Sequence, residues 1–338
     1  MWRRNVKKLG ITRTSLAAFI AVGALGLNAC GSSDADSPEA GAESGDTVEV
    51  TDMADEAHTV PAEPESVIAT DNRIFRTLAE WDVELSAAPV DLMPADMEIL
   101  EKYTNNDDIL NMGNHREPDM EMVTAAEPDL ILNGQRFSQH GEDLASAATG
   151  DVPIVNTDIE TETGELDQEF RDQTALLGEV FGKQDEADQL IADFDEALER
   201  AQEAYDPEMT VTGLVTSGGD INYAAPTTGR AVGPLYDILE MTPALDDEGS
   251  TDHTGDDISV EAIASANPDF LIVLDRDAAV GDGSSAGAKE LIEESEALQD
   301  VPAVKNDNIY YMPGDFYLAE DIQNHTTILN DLADQWSE

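Results

Sequence analysis

One pattern occurs twice in the chain, first as Asp119-Met-Glu-Met-Val-Thr-Ala-Ala-Glu-Pro-Asp-Leu-Ile-Leu132 and then, 140 residues later, as Ser259-Val-Glu-Ala-Ile-Ala-Ser-Ala-Asn-Pro-Asp-Phe-Leu-Ile272. Each copy predicts a short amphipathic helix, a Pro-Asp turn and an apolar strand. The common offset also aligns Glu121 with Glu261. We interpret the two copies as a structural repeat, with one copy in each of two lobes.

The regions around the repeat alternate between short β-rich runs and helical runs, which is typical of layered α/β proteins. In the first half, Val67-Ile-Ala-Thr70 predicts a buried strand, and a helix is expected from Asn72 to Trp81. Two long helices are predicted between the copies, over Leu166–Phe181 and Glu186–Tyr205. The predicted division is an N-terminal α/β lobe of residues 47–165, a helical segment of residues 166–206 and a C-terminal α/β lobe of residues 207–338.

The N-terminus has the features of an export signal. Basic residues 1–13 precede an apolar run at 16–27, which suits a signal-peptide core and is shorter than the ~20 residues of a membrane span. The single cysteine follows in Leu27-Asn-Ala-Cys30, which resembles the lipobox of bacterial lipoproteins. The resulting predictions are a signal peptide of residues 1–29, a lipid anchor on Cys30, a flexible acidic tether of residues 30–46, and a location on the outer face of the cytoplasmic membrane.

The composition is strongly acidic, with 73 Asp and Glu against 17 Lys and Arg and a formal net charge of −56. This charge excludes a protein that binds nucleic acid through a basic face. The single cysteine excludes a disulfide framework and a cysteine-cluster metal site. Removal of the basic N-terminal stretch would leave only 12 basic residues, so arginines that the fold brings together need an explanation.

Three arginines are candidates for an anion-binding site. Arg136 and Arg276 follow the two copies of the repeat at the same offset, and each lies just beyond the carboxyl end of a predicted strand, where ligands bind in open α/β sheets. Arg230 lies in the loop Ala225-Pro-Thr-Thr-Gly-Arg-Ala-Val-Gly233. A single arginine in such a position often caps a helix or pairs with an acid. Two in equivalent positions of two lobes favour an anion site in a cleft, because guanidinium groups form charge-assisted hydrogen bonds with planar anions.

His253 and Tyr317 are the candidate metal ligands. His253 is expected in a polar loop, where a histidine is usually solvated, and Tyr317 in the loop before the last helix, where a tyrosine usually packs at a rim. Together, a neutral imidazole and a phenolate can complete the coordination of a ferric ion that arrives with its own ligand. The other histidines of the folded region have no comparable setting; His115 and His140 are unassigned, and His58 and His325 are expected at the surface.

Glu121 and Glu261 are candidates for a docking role. Surface glutamates of an acidic protein usually have no specific function, but one in each lobe could dock into basic pockets of a two-fold symmetric partner. The sequence lacks the common enzyme motifs G-x-S-x-G and H-E-x-x-H. It also lacks the P-loop lysine motif and a G-x-G-x-x-G that follows a strand. It therefore gives no positive indication of an enzyme.

From about Val60 to Trp336, the chain resembles the substrate-binding lipoproteins of bacterial ABC importers for ferric siderophores, cobalamin and haem, and is most similar to the branch for catecholate siderophores. The segments that carry the resemblance are Asn111-Met-Gly-Asn to Leu132, Ile221 to Arg230, His253-Thr-Gly, Asn267 to Arg276, and Phe316-Tyr-Leu318. One segment departs from the family: a strand end that commonly reads Ser-Gly-Arg-Gln is here Asn133-Gly-Gln-Arg136.

The resemblance implies a class III substrate-binding protein, with two Rossmann-like α/β lobes joined by a long helical spine and the ligand between them. It assigns Arg136, Arg230 and Arg276 to an anionic siderophore, and His253 and Tyr317 to Fe(III) when a tetradentate siderophore leaves two positions open. It makes Glu121 and Glu261 the residues that dock onto an ABC permease dimer. The expected protein is a monomer that transports an Fe(III)-siderophore and holds no permanent cofactor.

Two other functions remain open from the sequence. Haem or cobalamin could bind to the same scaffold, because a histidine and a tyrosine from opposite lobes also suit haem iron. Three pocket arginines favour a compact polyanion instead. An enzyme or adhesin displayed as a lipoprotein is the third possibility, and it would leave the 140-residue repeat unexplained.

Overall fold

The computed structural model describes residues 46–281, 283 and 285–337. The predicted signal peptide and Cys30 lie outside this range, as does all of the predicted tether except Asp46. Among the helices of the described residues, none is both long and apolar enough to cross a membrane.

The described chain alternates strands and helices through most of its length. The strands are β1 (Thr47–Thr51), β2 (Ala57–Pro61), β3 (Val67–Ala69), β4 (Ala87–Ala88), β5 (Leu110–Asn111), β6 (Gly113–Asn114), β7 (Glu117–Pro118), β8 (Leu130–Asn133), β9 (Ile154–Asn156), β10 (Thr210–Ser217), β11 (Asp220–Ala224), β12 (Thr242–Pro243), β13 (Phe270–Asp275) and β14 (Ile309–Tyr311). The α-helices are α1 (Phe75–Glu80), α2 (Glu101–Thr104), α3 (Met120–Ala126), α4 (Gly141–Ala147), α5 (Leu166–Phe181), α6 (Gln184–Ala204), α7 (Gly233–Ile238), α8 (Val260–Ala266), α9 (Arg276–Val280), α10 (Ala288–Glu294), α11 (Pro302–Lys305) and α12 (Ile322–Trp336). Short 3-10 helices cover Val90–Leu92, Glu98–Leu100 and Gln135–His140.

The N-terminal lobe is built on a parallel sheet with the strand order β5-β4-β3-β8-β9. The central strand β3 and its neighbour β8 are buried along their whole length. Helices and loops cover both faces of such a sheet, which explains why these strands appear in the sequence as continuous apolar runs.

The C-terminal lobe is built on a second sheet with the order β11-β10-β13-β14. Strand β13 pairs in parallel with β10 and β14, whereas β11 is antiparallel to β10. The short strand β12 pairs in parallel with the first two residues of β10, ahead of the part that pairs with β11. Both lobes therefore place the carboxyl ends of buried parallel strands at one sheet edge.

The repeat has the same local structure in both lobes. Helices α3 and α8 are each followed by a residue in the left-handed region, Glu127 with φ 47° and Asn267 with φ 58°, which ends the helix before the Pro-Asp turn. The carboxylate of Asp129 then accepts hydrogen bonds from the backbone N–H groups of residues 65 and 66. The equivalent carboxylate of Asp269 accepts from the backbone N–H and the hydroxyl of Thr210. Each aspartate thus ties its turn to the start of the neighbouring strand.

Helix α5 connects the two lobes. Near its start, Leu166 and Phe170 pack in the core of the C-terminal lobe, and near its end, Leu177 and Val180 pack in the core of the N-terminal lobe. Helix α6 returns alongside it. A Cβ on Gly178 would lie 2.8 Å from the Cβ of Ala187, so glycine is required where the two helices meet. The prediction of two α/β lobes joined by long helices is confirmed.

The helix predicted from Asn72 to Trp81 begins later, at Phe75, and ends at Glu80. The cause lies in the preceding turn, where the Asp71 carboxylate accepts a hydrogen bond from the backbone N–H of Arg73. This local bond holds the backbone in a turn rather than a helix. Residues 71–73 therefore form a turn at the carboxyl end of β3.

Candidate ligand-binding cleft

Three arginines surround the ring of Tyr317. The guanidinium carbons of Arg136, Arg276 and Arg230 lie 4.9, 5.2 and 5.5 Å from the ring centroid, respectively. These are cation–π distances. The three arginines that the sequence singled out are therefore brought together at one place.

Each of these arginines comes from a different element. Arg136 lies in the 3-10 helix that follows β8, Arg276 opens α9 directly after β13, and Arg230 lies in the loop before α7. An Nη of Arg136 donates to the backbone oxygen of Tyr317 at 3.1 Å, and this bond joins the two lobes. An Nη of Arg276 donates to the hydroxyl of Ser217 at 3.1 Å.

The strand end that departs from the family pattern contains a glycine that the packing requires. A Cβ on Gly134 would lie 2.4 Å from a carboxylate oxygen of Asp71 and 2.9 Å from the hydroxyl of Thr157. The next residue, Gln135, adopts a positive φ of 46°. Arg136 follows this glycine by two residues, and its side chain reaches the ring of Tyr317.

His253 lies beside Tyr317, with the two ring centroids 6.4 Å apart in an edge-to-face arrangement. Both residues belong to loops of the C-terminal lobe, so the expectation that they face each other from opposite lobes is wrong. The loops before α8 and before α12 lie next to each other at the same sheet edge. Partial burial and the charges of Arg230 and Arg136 lower the pKa of His253, which favours the neutral imidazole.

Tyr317 is buried, with 2% of its surface exposed, rather than packed at a rim. Burial alone would raise the pKa of its phenol. Contact with Arg276 and the positive charges of Arg136 and Arg230 outweigh burial and lower the pKa below its ordinary value. The site therefore favours a phenolate more than an isolated tyrosine does.

A second group of charges, which the sequence analysis missed, adjoins this cluster. Arg73 lies 3.2 Å from a carboxylate oxygen of Asp158 and 3.2 Å from one of Glu320. The same Glu320 carboxylate also pairs with Arg230. Although burial opposes ionisation, Arg230 and Arg73 lower the pKa of Glu320, so this buried carboxylate is charged. The sequence contains one signal for Arg73. This residue follows β3, Arg136 follows β8, and the two strands are parallel neighbours, so both arginines lie at the same edge of the sheet.

Three adjoining cavities run along this charged region. The first has a volume of about 250 Å³ and shares Arg73, Arg230 and His253 with the second, of about 380 Å³. The second shares His115 and Arg136 with the third, of about 310 Å³. Tyr317 and Arg276 line the third cavity. Together they form a cleft lined by residues of both lobes.

Four arginines of this cleft have unused hydrogen-bond donors. The Nε atoms of Arg73, Arg136, Arg230 and Arg276 are buried and have no hydrogen-bond partner among the described residues. Unpaired buried donors are costly, and an anionic ligand in the cleft would supply acceptors next to them.

Two other histidines, His325 and His58, differ from their predicted settings. His325, expected at the surface, is buried between the rings of Phe170 and Phe316, and burial lowers its pKa to about 4. His58 is partly buried and contacts the carboxylate of Asp52 at 2.9 Å. His115, for which the sequence predicts no role, lines two of the three cavities. The sequence did not reveal these positions because each depends on contacts made only in the folded chain.

Glu121 and Glu261 occupy equivalent, exposed positions. Each is the second residue of its helix, α3 or α8, and each helix begins with a side-chain cap, from Asp119 and Ser259 respectively. Neither glutamate lines any of the three cavities of the cleft. Their docking role stays a prediction.

Comparison with known proteins establishes the class to which this arrangement belongs. The sequence profile of the family described as periplasmic binding protein matches residues 67–316, which is more than half of the chain. The chain belongs to this family. Its members are binding proteins, and the membership confirms the resemblance found in the sequence, including the class III fold of two Rossmann-like lobes joined by helices.

Two curated relatives cover most of the chain. The petrobactin-binding protein YclQ of Bacillus subtilis (strain 168) is 26% identical over 310 residues, which are 91% of this chain and 91% of YclQ. The ferric-anguibactin-binding protein FatB of Vibrio anguillarum is 28% identical over 254 residues, which are 75% of this chain and 76% of FatB.

Solved structures share the fold. The crystal structure of YclQ superimposes with a TM-score of 0.72 at 22% identity, covering 87% of this chain and 99% of that chain. A TroA-like periplasmic binding protein from Xylanimonas cellulosilytica gives a TM-score of 0.68 at 26% identity, covering 84% of this chain and 93% of that chain.

Proposed function

We propose that this protein binds an anionic ferric siderophore, of the catecholate type, in the cleft around Tyr317 and delivers it to the permease of an ABC importer. The observation that carries the proposal is the cluster of Arg136, Arg230 and Arg276 around one tyrosine ring. The Nε atoms of these arginines are buried and lack a hydrogen-bond partner in the part of the chain that the structure describes. Catecholate oxygens on ferric iron are compact, anionic hydrogen-bond acceptors that match these donors.

The charge of the whole protein opposes such a ligand at long range. A net charge of −56 repels anions, but at physiological ionic strength the repulsion is screened over ~8 Å. The cleft cluster must therefore provide the attraction at short range, where guanidinium groups face the ligand in a site of lowered dielectric.

His253 and Tyr317 are proposed to ligate the iron of a tetradentate siderophore. Their rings are neighbours within one lobe, so they suit two adjacent coordination positions of a single ion. The lowered pKa values of both groups favour the neutral imidazole and the phenolate that Fe(III) would need.

The names of the relatives support an iron-chelate ligand. YclQ is named for binding petrobactin, and FatB is named for binding ferric anguibactin. We extend this ligand class to the present chain because the two relatives cover three quarters or more of it.

The remaining parts of the proposal concern delivery. Cys30 would carry the lipid that holds the protein at the outer face of the cytoplasmic membrane, and Glu121 and Glu261 would each dock onto one half of a permease dimer. The protein would act as a monomer, without enzymatic activity and without a permanently bound cofactor. Support for the docking role is the equivalent exposure of the two glutamates on the repeated helices α3 and α8.

A ligand panel tests the proposed function. Trp81 and Trp336 are the tryptophans of the described region, and their fluorescence reports binding by quenching. The panel contains ferric complexes of a tetradentate and a hexadentate catecholate, haemin and cobalamin. We expect saturable quenching by the ferric catecholates. Saturation by haemin or cobalamin with no response to either catecholate would overturn the proposal.

A further inference from the structure

The basic side chains of the described region divide into two groups. Of 12 Lys and Arg residues, nine have a carboxylate oxygen within 4.0 Å: Arg73, Arg76, Lys102, Arg171, Lys183, Arg200, Arg230, Lys289 and Lys305. Three have no such partner among the described residues, namely Arg116, Arg136 and Arg276. In a chain with 73 acidic residues, an arginine without a carboxylate neighbour is the exception.

All three of these arginines line the same cavity, the one of about 310 Å³. Arg116 reaches it from the turn of the β6–β7 hairpin, where the backbone N–H of Arg116 donates to the side chain of Asn114. One carboxylate, that of Asp91, also lines the cavity, but it accepts from Asn111 and lies beyond 4.0 Å from the three guanidinium groups. The positive charge of this cavity is therefore not neutralised by direct ion pairs.

Apolar side chains line the rest of this cavity. Leu92, Leu318 and Val280 contribute to its walls, next to the ring of Tyr317. Val280 is 42% exposed and is, with Ile99 at 38%, one of the two most exposed large hydrophobic residues among the described residues. Guanidinium groups combined with aromatic and aliphatic walls suit a flat ring that carries anionic oxygens.

The other end of the cleft has a different charge balance. There, Arg73 and Arg230 are both paired with Glu320, and Arg73 is also paired with Asp158. Two cations and two carboxylates cancel, so this end offers little net attraction for an anion. The cleft is electrostatically asymmetric, and its uncompensated end is the cavity at Arg116.

We propose that Arg116 is a ligand-binding residue, which forms with Arg136 and Arg276 a subsite for an anionic aromatic ring of the ligand. The proposal rests on the proposed function, because it assigns a part of the catecholate ligand to a part of the cleft. No pattern in the sequence selects Arg116, which lies outside the repeat and follows no strand of the main sheets. Arg116 is assigned to ligand binding because no described carboxylate lies within 4.0 Å of it and because it lines the cavity.

The test compares Arg116→Ala with wild type, using the ferric complex of a tetradentate bis-catecholate as the probe. Arg116 is exposed in a hairpin turn, so its truncation leaves the core intact. We expect the dissociation constant to rise about three- to tenfold, mainly through faster dissociation in stopped-flow fluorescence, as for the loss of one solvent-accessible charged contact. Lys289→Ala removes the same charge from an exposed side chain that lines none of the three cavities, and we expect no change in that control.

Two results would overturn the assignment of Arg116. One is an unchanged dissociation constant in Arg116→Ala. The other is a change confined to the association rate that disappears at high ionic strength, because this would mean long-range steering without contact. Failure of the wild-type protein to bind the probe is a separate result, and it would contradict the proposed function itself.

Discussion

At the scale of single residues, the cleft holds like charges together without neutralising all of them. Arg136, Arg230 and Arg276 each lie within 5.5 Å of the ring centroid of Tyr317, and Glu320 pairs with only one of the three. Such a cluster is electrostatically unfavourable in the empty protein, and an anionic ligand would relieve the repulsion. Binding of an anion therefore removes the repulsion between the arginines that destabilises the empty cleft.

Arg276 provides the most direct residue-level test of the anion site. Within residues 46–337 as the structure describes them, its Nε has no partner and one Nη donates to the neutral hydroxyl of Ser217, so truncation leaves no described carboxylate unpaired. We expect Arg276→Ala to weaken binding of a ferric catecholate by at least ~1.5 kcal/mol, about tenfold, measured by fluorescence titration. Arg200→Ala, which removes an arginine paired with Asp334, is the matched control. Wild-type affinity in Arg276→Ala would remove this arginine from the site.

Tyr317 allows a spectroscopic test of metal ligation. If its phenolate ligates Fe(III), Tyr317→Phe will shift the visible charge-transfer band of the bound tetradentate complex, because an oxygen ligand is lost. Absorption spectra of the saturated proteins measure this shift. Tyr311→Phe removes a phenol that lines none of the three cavities of the cleft and serves as the control. An unchanged band in Tyr317→Phe would mean that the tyrosine does not ligate the metal.

Residues of the cleft differed in how well the sequence predicted them. Arg136 and Arg276 were found because the 140-residue offset marks equivalent strand ends. Arg73 and Glu320 were not, because they are 247 residues apart and no periodicity links them. A buried ion pair between lobes depends on tertiary packing, which a local pattern does not encode.

At the scale of secondary-structure elements, the repeat was the most informative feature of the sequence. It predicted the positions of α3 with β8 and of α8 with β13, and it also predicted the turn within each pair. In both turns the left-handed residue and the aspartate of the Pro-Asp pair recur at the same offset. Helix α1 begins three residues later than the sequence predicts, at Phe75 instead of Asn72. Helical periodicity continues into residues 72–74, but the side chain of Asp71 forms a turn there.

Helices α3 and α8 hold the two glutamates that we expect to dock onto the permease. A variant that combines Glu121→Ala with Glu261→Ala is expected to bind the ferric siderophore normally and to lose uptake in cells, because only the contact with the permease is removed. Radioactive iron uptake and fluorescence titration measure the two properties. The combination of Glu142→Ala with Glu290→Ala removes two exposed glutamates from the first turns of α4 and α10 and is the control. Normal uptake in the first variant would show that the two glutamates are ordinary surface residues.

At the scale of the whole molecule, buried acids make stability depend on pH. Burial raises the pKa of both Asp71 and Asp321 from the ordinary value of 3.8 to about 7. In the unfolded chain both groups ionise near their ordinary value, so the folded state binds more protons over this interval. Their contribution to stability is therefore fully present below about pH 4 and is lost as the pH rises towards 7.

Asp71→Asn tests this dependence, since asparagine resembles the protonated acid and does not ionise. We expect the variant to gain stability relative to wild type as the pH rises from about 4 to 7, the interval between the unfolded and folded pKa values. Urea unfolding at several pH values gives the difference in free energy of unfolding between the two proteins. A difference that stays constant across this interval would contradict the raised pKa of Asp71.

We expect the cleft to select ligands by their negative charge, and two ferric chelates of different charge test this claim. Calorimetric titration of the wild-type protein with an anionic ferric bis-catecholate, and in parallel with a ferric tris-hydroxamate that carries no negative charge, measures how far the arginine cluster selects anions. We predict 1:1 binding of the bis-catecholate and an affinity for the hydroxamate that is lower by at least about tenfold, one charge-assisted contact. Equal affinities, or preferential binding of the hydroxamate, would contradict the claim.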